Sequence, residues 1–144
     1  MDCQDHEKSI RMEGIEKVCQ FLDEAKTYYL ATTEGDQPRV RPFGTALVYN
    51  GKLYIQTGKI KNVSKQLAAN PKAEICAFSG QKWIRISGEL INDDDRAVKV
   101  AMLEKMPSLK RMYDPDDGNM QMLYFKNAEA VFASFTEAPE TIRF

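Results

Sequence analysis

Histidine is almost missing from this sequence. A single one, His6, occurs in 144 residues, and a His-rich metal site or a Ser-His-Asp triad needs more than that. Cysteine is scarce too: Cys3, Cys19 and Cys76 are odd in number and form no CxxC, which fits reduced thiols in a cytosolic compartment better than a disulfide framework. No apolar run approaches the ~20 residues that span a bilayer, and residues 1–8 are polar where a signal peptide would be apolar. An excess of one charge is also lacking. With 20 basic against 21 acidic residues, nothing in the composition supports a role on nucleic acid. No GxGxxG fingerprint is present, so a Rossmann dinucleotide site is not indicated. These absences leave one cytoplasmic domain over 1–144, with a polar tail over about 1–8. A hydrophobic fraction of 43% is enough for a real core.

The chain reads in order as follows. Residues Ser9 to Ala25 carry Ile10, Ile15, Val18, Cys19 and Leu22 at three- and four-residue steps, which predicts an amphipathic helix, weakened at Gly14. Thr27–Thr33 has strand composition, and Glu34 to Pro38 is a turn. Arg39–Tyr49 reads as one further strand, with Val40, Pro42, Gly44, Ala46 and Val48 on one face and Arg39, Arg41, Phe43, Thr45 and Leu47 on the other. Asn50-Gly51 predicts a hairpin into Lys52–Thr57. A helix over Lys61–Asn70 precedes strands at Ala73–Phe78 and Lys82–Ile91. A helix over Arg96–Lys105 follows the acidic start Asp93–Asp95, and a short one follows Pro107. Met122–Phe125, Ala128–Phe135 and Thr141–Phe144 close the chain as strands. Hairpin-linked strands with helices spliced between them predict an α+β fold, a mainly antiparallel split β-barrel with flanking helices.

The most informative stretch is Lys52–Pro71. A strand passes through the polar junction Thr57-Gly58-Lys59-Ile60-Lys61-Asn62 into a short helix, with Asn62 as the expected N-cap. A helix N-terminus favours acids, yet this one brings Lys59, Lys61 and Lys65 with no acid close by in sequence. Two readings are open. An outside anion such as a phosphate completes the site, held by exposed N–H groups, lysines and the hydroxyls of Thr57 and Ser64; or the lysines are a solvated basic face.

The series Pro38-Arg39-Val40-Arg41-Pro42-Phe43, then Leu53 to Gln56-Thr57, then Lys61 to Lys65 with Asn70-Pro71, then Trp83 to Glu89 resembles the pyridoxamine 5′-phosphate oxidase-like family of FMN-binding split β-barrels. The resemblance covers roughly residues 9 to 135. It implies a homodimer with FMN in clefts between the subunits. By resemblance the strand with Arg39, Val40, Arg41, Pro42 and Phe43 lies along the flavin edge, with Arg41 at the pyrimidine side. Gln56, Thr57, Lys59, Lys61, Asn62 and Lys65 would hold flavin edge and phosphate, and Trp83 would reach the cofactor bound mainly by the other subunit. Two departures matter. Lys61-Asn62-Val63 stands where the family often has Ser-Arg/Lys-Lys, and the last residues carry no Arg-x-His element, so pyridoxamine phosphate oxidation is not assigned.

The function expected from this resemblance is an FMN-dependent oxidoreductase that reduces an unknown small molecule with NADH or NADPH. The competing expectations are a module that binds flavin, haem or a deazaflavin without efficient turnover, and an interaction protein. No general acid or base stands out and the catalytic residues are unknown. Histidine ligation of a haem is not expected from His6, in its polar tail.

Overall fold

The structure is a computed structural model that describes the backbone of residues 3–144 and side chains from Glu13 onward. The side chains of Cys3, His6 and Ile10 lie outside the described residues. Helix α1 (Cys3–Ala25) is followed by β1 (Tyr28–Glu34), β2 (Gln37–Phe43), β3 (Leu47–Tyr49), β4 (Lys52–Gly58), α2 (Asn62–Ala69), β5 (Lys72–Ser79) and β6 (Lys82–Asn92). Helix α3 (Arg96–Lys105), a 3₁₀ turn (Pro107–Arg111), β7 (Met120–Ser134) and β8 (Glu140–Arg143) complete it. The backbone of α1 thus begins at Cys3, within the stretch read as a polar tail. No described helix is long and apolar enough to cross a membrane.

The sheet order is β2-β1-β5-β6-β7-β4-β3, with β8 on β7. All pairings are antiparallel. The order itself dictates curvature. Laid flat, β2 and β3 would sit six spacings of ~4.8 Å apart, about 29 Å. Only residues 44–46 join them, and the four Cα steps from Phe43 to Leu47 reach ~14 Å at most. The sheet therefore has to curl into a barrel, split between its two edge strands.

The expected single strand over Arg39–Tyr49 is two strands, because side chains claim the polar groups of the break. The Tyr28 hydroxyl donates to the Thr45 carbonyl at 2.7 Å. The Gln56 N–H donates to Thr45 Oγ1 at 2.9 Å, and Lys105 Nζ donates to the Ala46 carbonyl at 2.6 Å. Conversely, the two closing strands expected around Lys126-Asn127 are one long β7. Asn127 adopts φ 53° and the register of β7 on β6 shifts between Ser87 and Glu89. The irregularity is absorbed without breaking the ladder.

Leu30, Ile75, Ile84 and Ile86 of the inner sheet face pack with Ile15, Val18 and Leu22 of α1 and with Val63 and Leu67 of α2. Each fully buried side chain of this size contributes about 1.5–3 kcal/mol. A smaller second core lies under α3, where Tyr54, Val98, Met102, Met120 and Met122 meet Tyr113. It fastens the segment 93–119 onto β4 and β7, with consequences for the junction described next.

Candidate functional site

Strand β2 is an edge strand, so its outer side carries no ladder partner. Its residues divide between two faces. Arg39 and Arg41 lie opposite Thr32 and Leu30 of β1, on the side facing α2. Arg41 donates through Nη1 to Thr32 Oγ1 at 2.7 Å and to the Leu30 carbonyl at 3.2 Å, and through Nη2 to Gln66 Oε1. Gln66, buried on α2, also accepts from the Thr32 hydroxyl at 2.6 Å and donates to Glu34 at 3.2 Å. A chain of hydrogen bonds thus keys α2 to the β1–β2 hairpin. Arg39 pairs with Glu34 at 3.0 Å, the cross-strand ion pair that Arg41 does not make. Partial burial and then the charge of Arg39 lower the Arg41 pKa; as a guanidinium it stays protonated. Arg39 and Gln66 hold Glu34 below the usual carboxylate range.

Beside this network, β4 runs into α2. Lys61 is the N-cap, in extended conformation (φ −77°, ψ 150°), and no side chain caps the helix. Asn62 is therefore the first helical residue and not the cap that was expected. The extended backbone needed at the cap falls one residue earlier, where the Lys61 N–H already donates to the Gly58 carbonyl. No acid occupies the first turn. Lys61 and Lys65 are exposed, and among the described residues neither has an acid at ion-pair distance. Lys59 differs. It pairs with Asp94 at 3.2 Å, and Asp94 also faces Lys99 at 3.6 Å. The acid that the local sequence lacked arrives from the start of α3. Burial pushes the Asp94 carboxyl up, but hydrogen bonds from Asn92 and Lys59 and the two lysine charges outweigh it and leave the group low.

Gln56 and Thr57 are both buried, on opposite faces of β4: Thr57 shares the face of Ile55 in the main core, and Gln56 that of Tyr54 in the core under α3. Gln56 Nε2 donates to the Thr57 carbonyl at 2.9 Å. Thr57 Oγ1 has no hydrogen-bond partner, and neither has Oε1 of Gln121, its register partner on β7. An orphaned buried hydroxyl is unusual, and here it lies at the end of β4 just before an uncapped helix. Asn62, Lys65 and Gln66 line one wall of a cleft of about 420 Å³ whose other wall is Thr33 to Gly35. Through Gln66 and this cleft, α2 brings Asn62 and Lys65 beside the hairpin that carries Arg39 and Arg41, while Thr57 and Lys61 lie along the approach to the same helix.

Val40, Pro42 and Trp83 lie elsewhere. Val40 and Pro42 point to the outer sheet face, where the register aligns them with Ala31 and Tyr29 of β1. Trp83 shares that outer face: it sits opposite Phe78 of β5, with its ring 5.1 Å from Phe135. Arg41 and Trp83 are separated by three strand spacings, ~14 Å, and lie on opposite faces, so one chain alone does not join them. The outer face is open, with Tyr29 53%, Val40 68% and Phe78 62% exposed, and the registers interleave these with exposed Glu74 and Arg85.

Sequence reasoning missed Gln66, Thr32, Asp94 and Asn119. Gln66 had one available signal, its i+4 spacing from Asn62. Asp94 and Asn119 had none, since each meets the junction across more than thirty residues of chain.

Comparison with known proteins places this geometry. A family model described as pyridoxamine 5′-phosphate oxidase matches residues 15–132. A NimC/NimA family protein from Clostridium acetobutylicum is 46% identical, with a TM-score of 0.92 over 96% of this chain and 98% of its own. General Stress Protein 26 from Bacillus anthracis is 20% identical, with a TM-score of 0.71 over 92% of this chain and 98% of its own. A pyridoxamine 5′-phosphate oxidase-related, FMN binding protein from Nostoc punctiforme is 14% identical, with a TM-score of 0.60 over 100% and 98%. The search of curated proteins gave no match. The split sheet, the order of its four sequence blocks and the match over residues 15–132 agree: the chain belongs to the pyridoxamine 5′-phosphate oxidase family.

Proposed function

We propose that the chain is an FMN-binding oxidoreductase, working as a homodimer, that reduces a small molecule with electrons from NADH or NADPH. The observation that carries this reading is the α2 entrance: an uncapped helix start with no acid in its first turn, two lysines without acidic partners, and the orphaned Thr57 hydroxyl at the end of β4. A phosphate monoester fits that donor set, since N–H groups, ammonium groups and a hydroxyl all bind it. Lys61 and Lys65 would hold the phosphate with the first-turn N–H groups. Lys59, neutralised by Asp94, contributes less.

Arg41 would serve the pyrimidine side of the flavin. Its guanidinium is already fixed by Thr32, Leu30 and Gln66, so little order is lost when it meets a ligand. A fixed cation favours an electron-rich ring beside it. Pro42 lacks an N–H, which suits an edge strand that meets a ligand in place of another strand. When bound, FMN supplies the redox chemistry, so the protein's part is to bind, orient and exclude water.

The outer face supports the dimeric part of the proposal. Tyr29, Val40 and Phe78 are large apolar side chains exposed on one face, which favours cover by another surface, and a second copy related by a twofold axis is the simplest one. It would also bring Trp83 of one subunit towards the cleft of the other. The Nostoc punctiforme neighbour is described as FMN binding and a Mycobacterium smegmatis neighbour as heme binding, so the test must separate the two.

An absorption spectrum recorded before and after addition of FMN and desalting does so. The expected result is flavin bands at about one per chain, followed by NADH or NADPH consumption above that of free FMN. A protein that takes up no flavin removes the proposal, and a Soret band on reconstitution with haem replaces it. Bound flavin without turnover, across a panel of acceptors, reduces the chain to a binding module.

A further inference from the structure

The segment 93–119 lies outside the barrel, yet it grips the junction between β4 and α2 at three successive residues. The Lys59 N–H donates to the Asn119 carbonyl at 2.7 Å. The Ile60 N–H donates to Asn119 Oδ1 at 3.1 Å. A Cβ placed on Gly58 would come within 3.1 Å of both Asn119 Nδ2 and the Tyr113 hydroxyl. The Asn119 carboxamide is therefore wedged along Gly58 to Ile60. Asn119 is itself held, because its N–H donates to Asp117 Oδ1 at 2.7 Å. Asp117 also accepts from the Met120 N–H at 2.8 Å and the Asp114 N–H at 2.9 Å.

Two residues beyond this clamp the chain enters α2 with Lys61 as its cap. The direction of that entry decides where Lys61 and the first-turn N–H groups point. We infer that Asn119 is a positioning residue for the anion site: its carboxamide fixes the approach to α2, and so the aim of the groups that meet a phosphate. The inference rests on the phosphate reading above and adds to it a residue that touches no ligand. The glycine at 58 becomes intelligible as well, since a side chain there would crowd the carboxamide that orders the junction.

The effect is separable from general stability, because FMN and riboflavin differ only by the phosphate. Both are titrated into the full-length protein and followed by flavin fluorescence, with thermal melting alongside. In Asn119→Ala the FMN Kd is expected to rise about five- to tenfold, the worth of one positioned hydrogen bond, while the riboflavin Kd stays unchanged. An unaltered FMN Kd, or an equal loss for both flavins, overturns the inference. Gly58→Ala provides the second route should Asn119→Ala not fold. Its Cβ crowds the carboxamide and should lower the FMN preference in the same direction, by less, and an unaltered preference again overturns the inference. A wild-type protein that binds neither flavin, or binds both equally, overturns the phosphate reading itself. That failure is read from the wild type alone and so is distinct from one read from the variants.

Discussion

Reversing the charge at Lys61 is the most direct test of the site. Lys61 is exposed, caps α2 and has no acid at ion-pair distance among the described residues. A unit charge pair at 4 Å is worth about 1 kcal/mol in water and about 4 kcal/mol at an effective dielectric constant of 20. An exposed helix entrance lies near the first limit. Removing the ammonium, as in Lys61→Gln, should therefore cost about 1 kcal/mol, roughly fivefold in FMN Kd. Lys61→Glu adds a repulsion of similar size, for about 2 kcal/mol, roughly thirtyfold. The assay is a flavin titration at low salt, repeated near 1 M salt, where a Debye length of about 3 Å should shrink the difference.

The same substitution has the opposite sign on stability. A carboxylate at a helix start gains about 0.3–1 kcal/mol from the helix dipole, so the protein without flavin should melt no lower than wild type. Weaker FMN binding in a protein at least as stable has no explanation in damage to the fold. Riboflavin, lacking the phosphate, should bind both forms alike. An FMN Kd unchanged in Lys61→Glu, or a parallel loss of riboflavin affinity, would refute the reasoning and move the phosphate elsewhere.

Two further predictions concern the rest of the molecule. Val40→Asp places a charge on the open outer face, at its edge strand; light scattering should show wild type at twice the 16.4 kDa chain mass and the variant shifted to monomer with its circular dichroism retained, whereas a wild-type monomer would remove the dimer. Burial raises the Tyr28 pKa far above its ordinary value. The unfolded chain releases this proton near pH 10 and the folded chain does not, so stability is intact below pH 10 and falls above it by about 1.4 kcal/mol per pH unit. Tyr28→Phe should lose about 1–2 kcal/mol at neutral pH, by orphaning the Thr45 carbonyl, and show a shallower alkaline slope in denaturant melts; an unchanged slope would refute the assignment.

The fold was legible wherever a local signal closed an element. Asn50-Gly51 takes positive φ at both residues, as a two-residue hairpin requires. Asp95 caps α3 by accepting from the Ala97 N–H, and Pro107 opens the 3₁₀ turn. The reading failed where a distant side chain decided. Nothing within 39–49 announces that the chain breaks at residues 44–46, because the groups that hold the break are the Tyr28 hydroxyl and the Lys105 ammonium. Gly14 reads as a weak point in α1, yet its reason lies at the other end of the chain: a Cβ there would stand 2.7 Å from Ile142 Cγ2 on β8.

The same division runs through the site. Arg41, Thr57, Lys61 and Lys65 were legible as chemistry, since an edge strand with Pro42 and a lysine-rich helix start each carry a local physical reason. Their partners were not. Lys59 looked like a third free cation until Asp94 supplied its counter-charge, and this changes the arithmetic of the proposed anion site, because among the described residues two of the three lysines and not all three are left without an acid at ion-pair distance. Trp83 shows the remaining gap. Its own strand places it on the outer face, ~14 Å across the sheet from Arg41, so no rearrangement within one chain unites the two. If Trp83 touches the cofactor at all, it does so across a subunit boundary. Dimer formation and flavin affinity should then weaken together when Val40 is charged, although Val40→Asp leaves every group proposed to bind the phosphate in place.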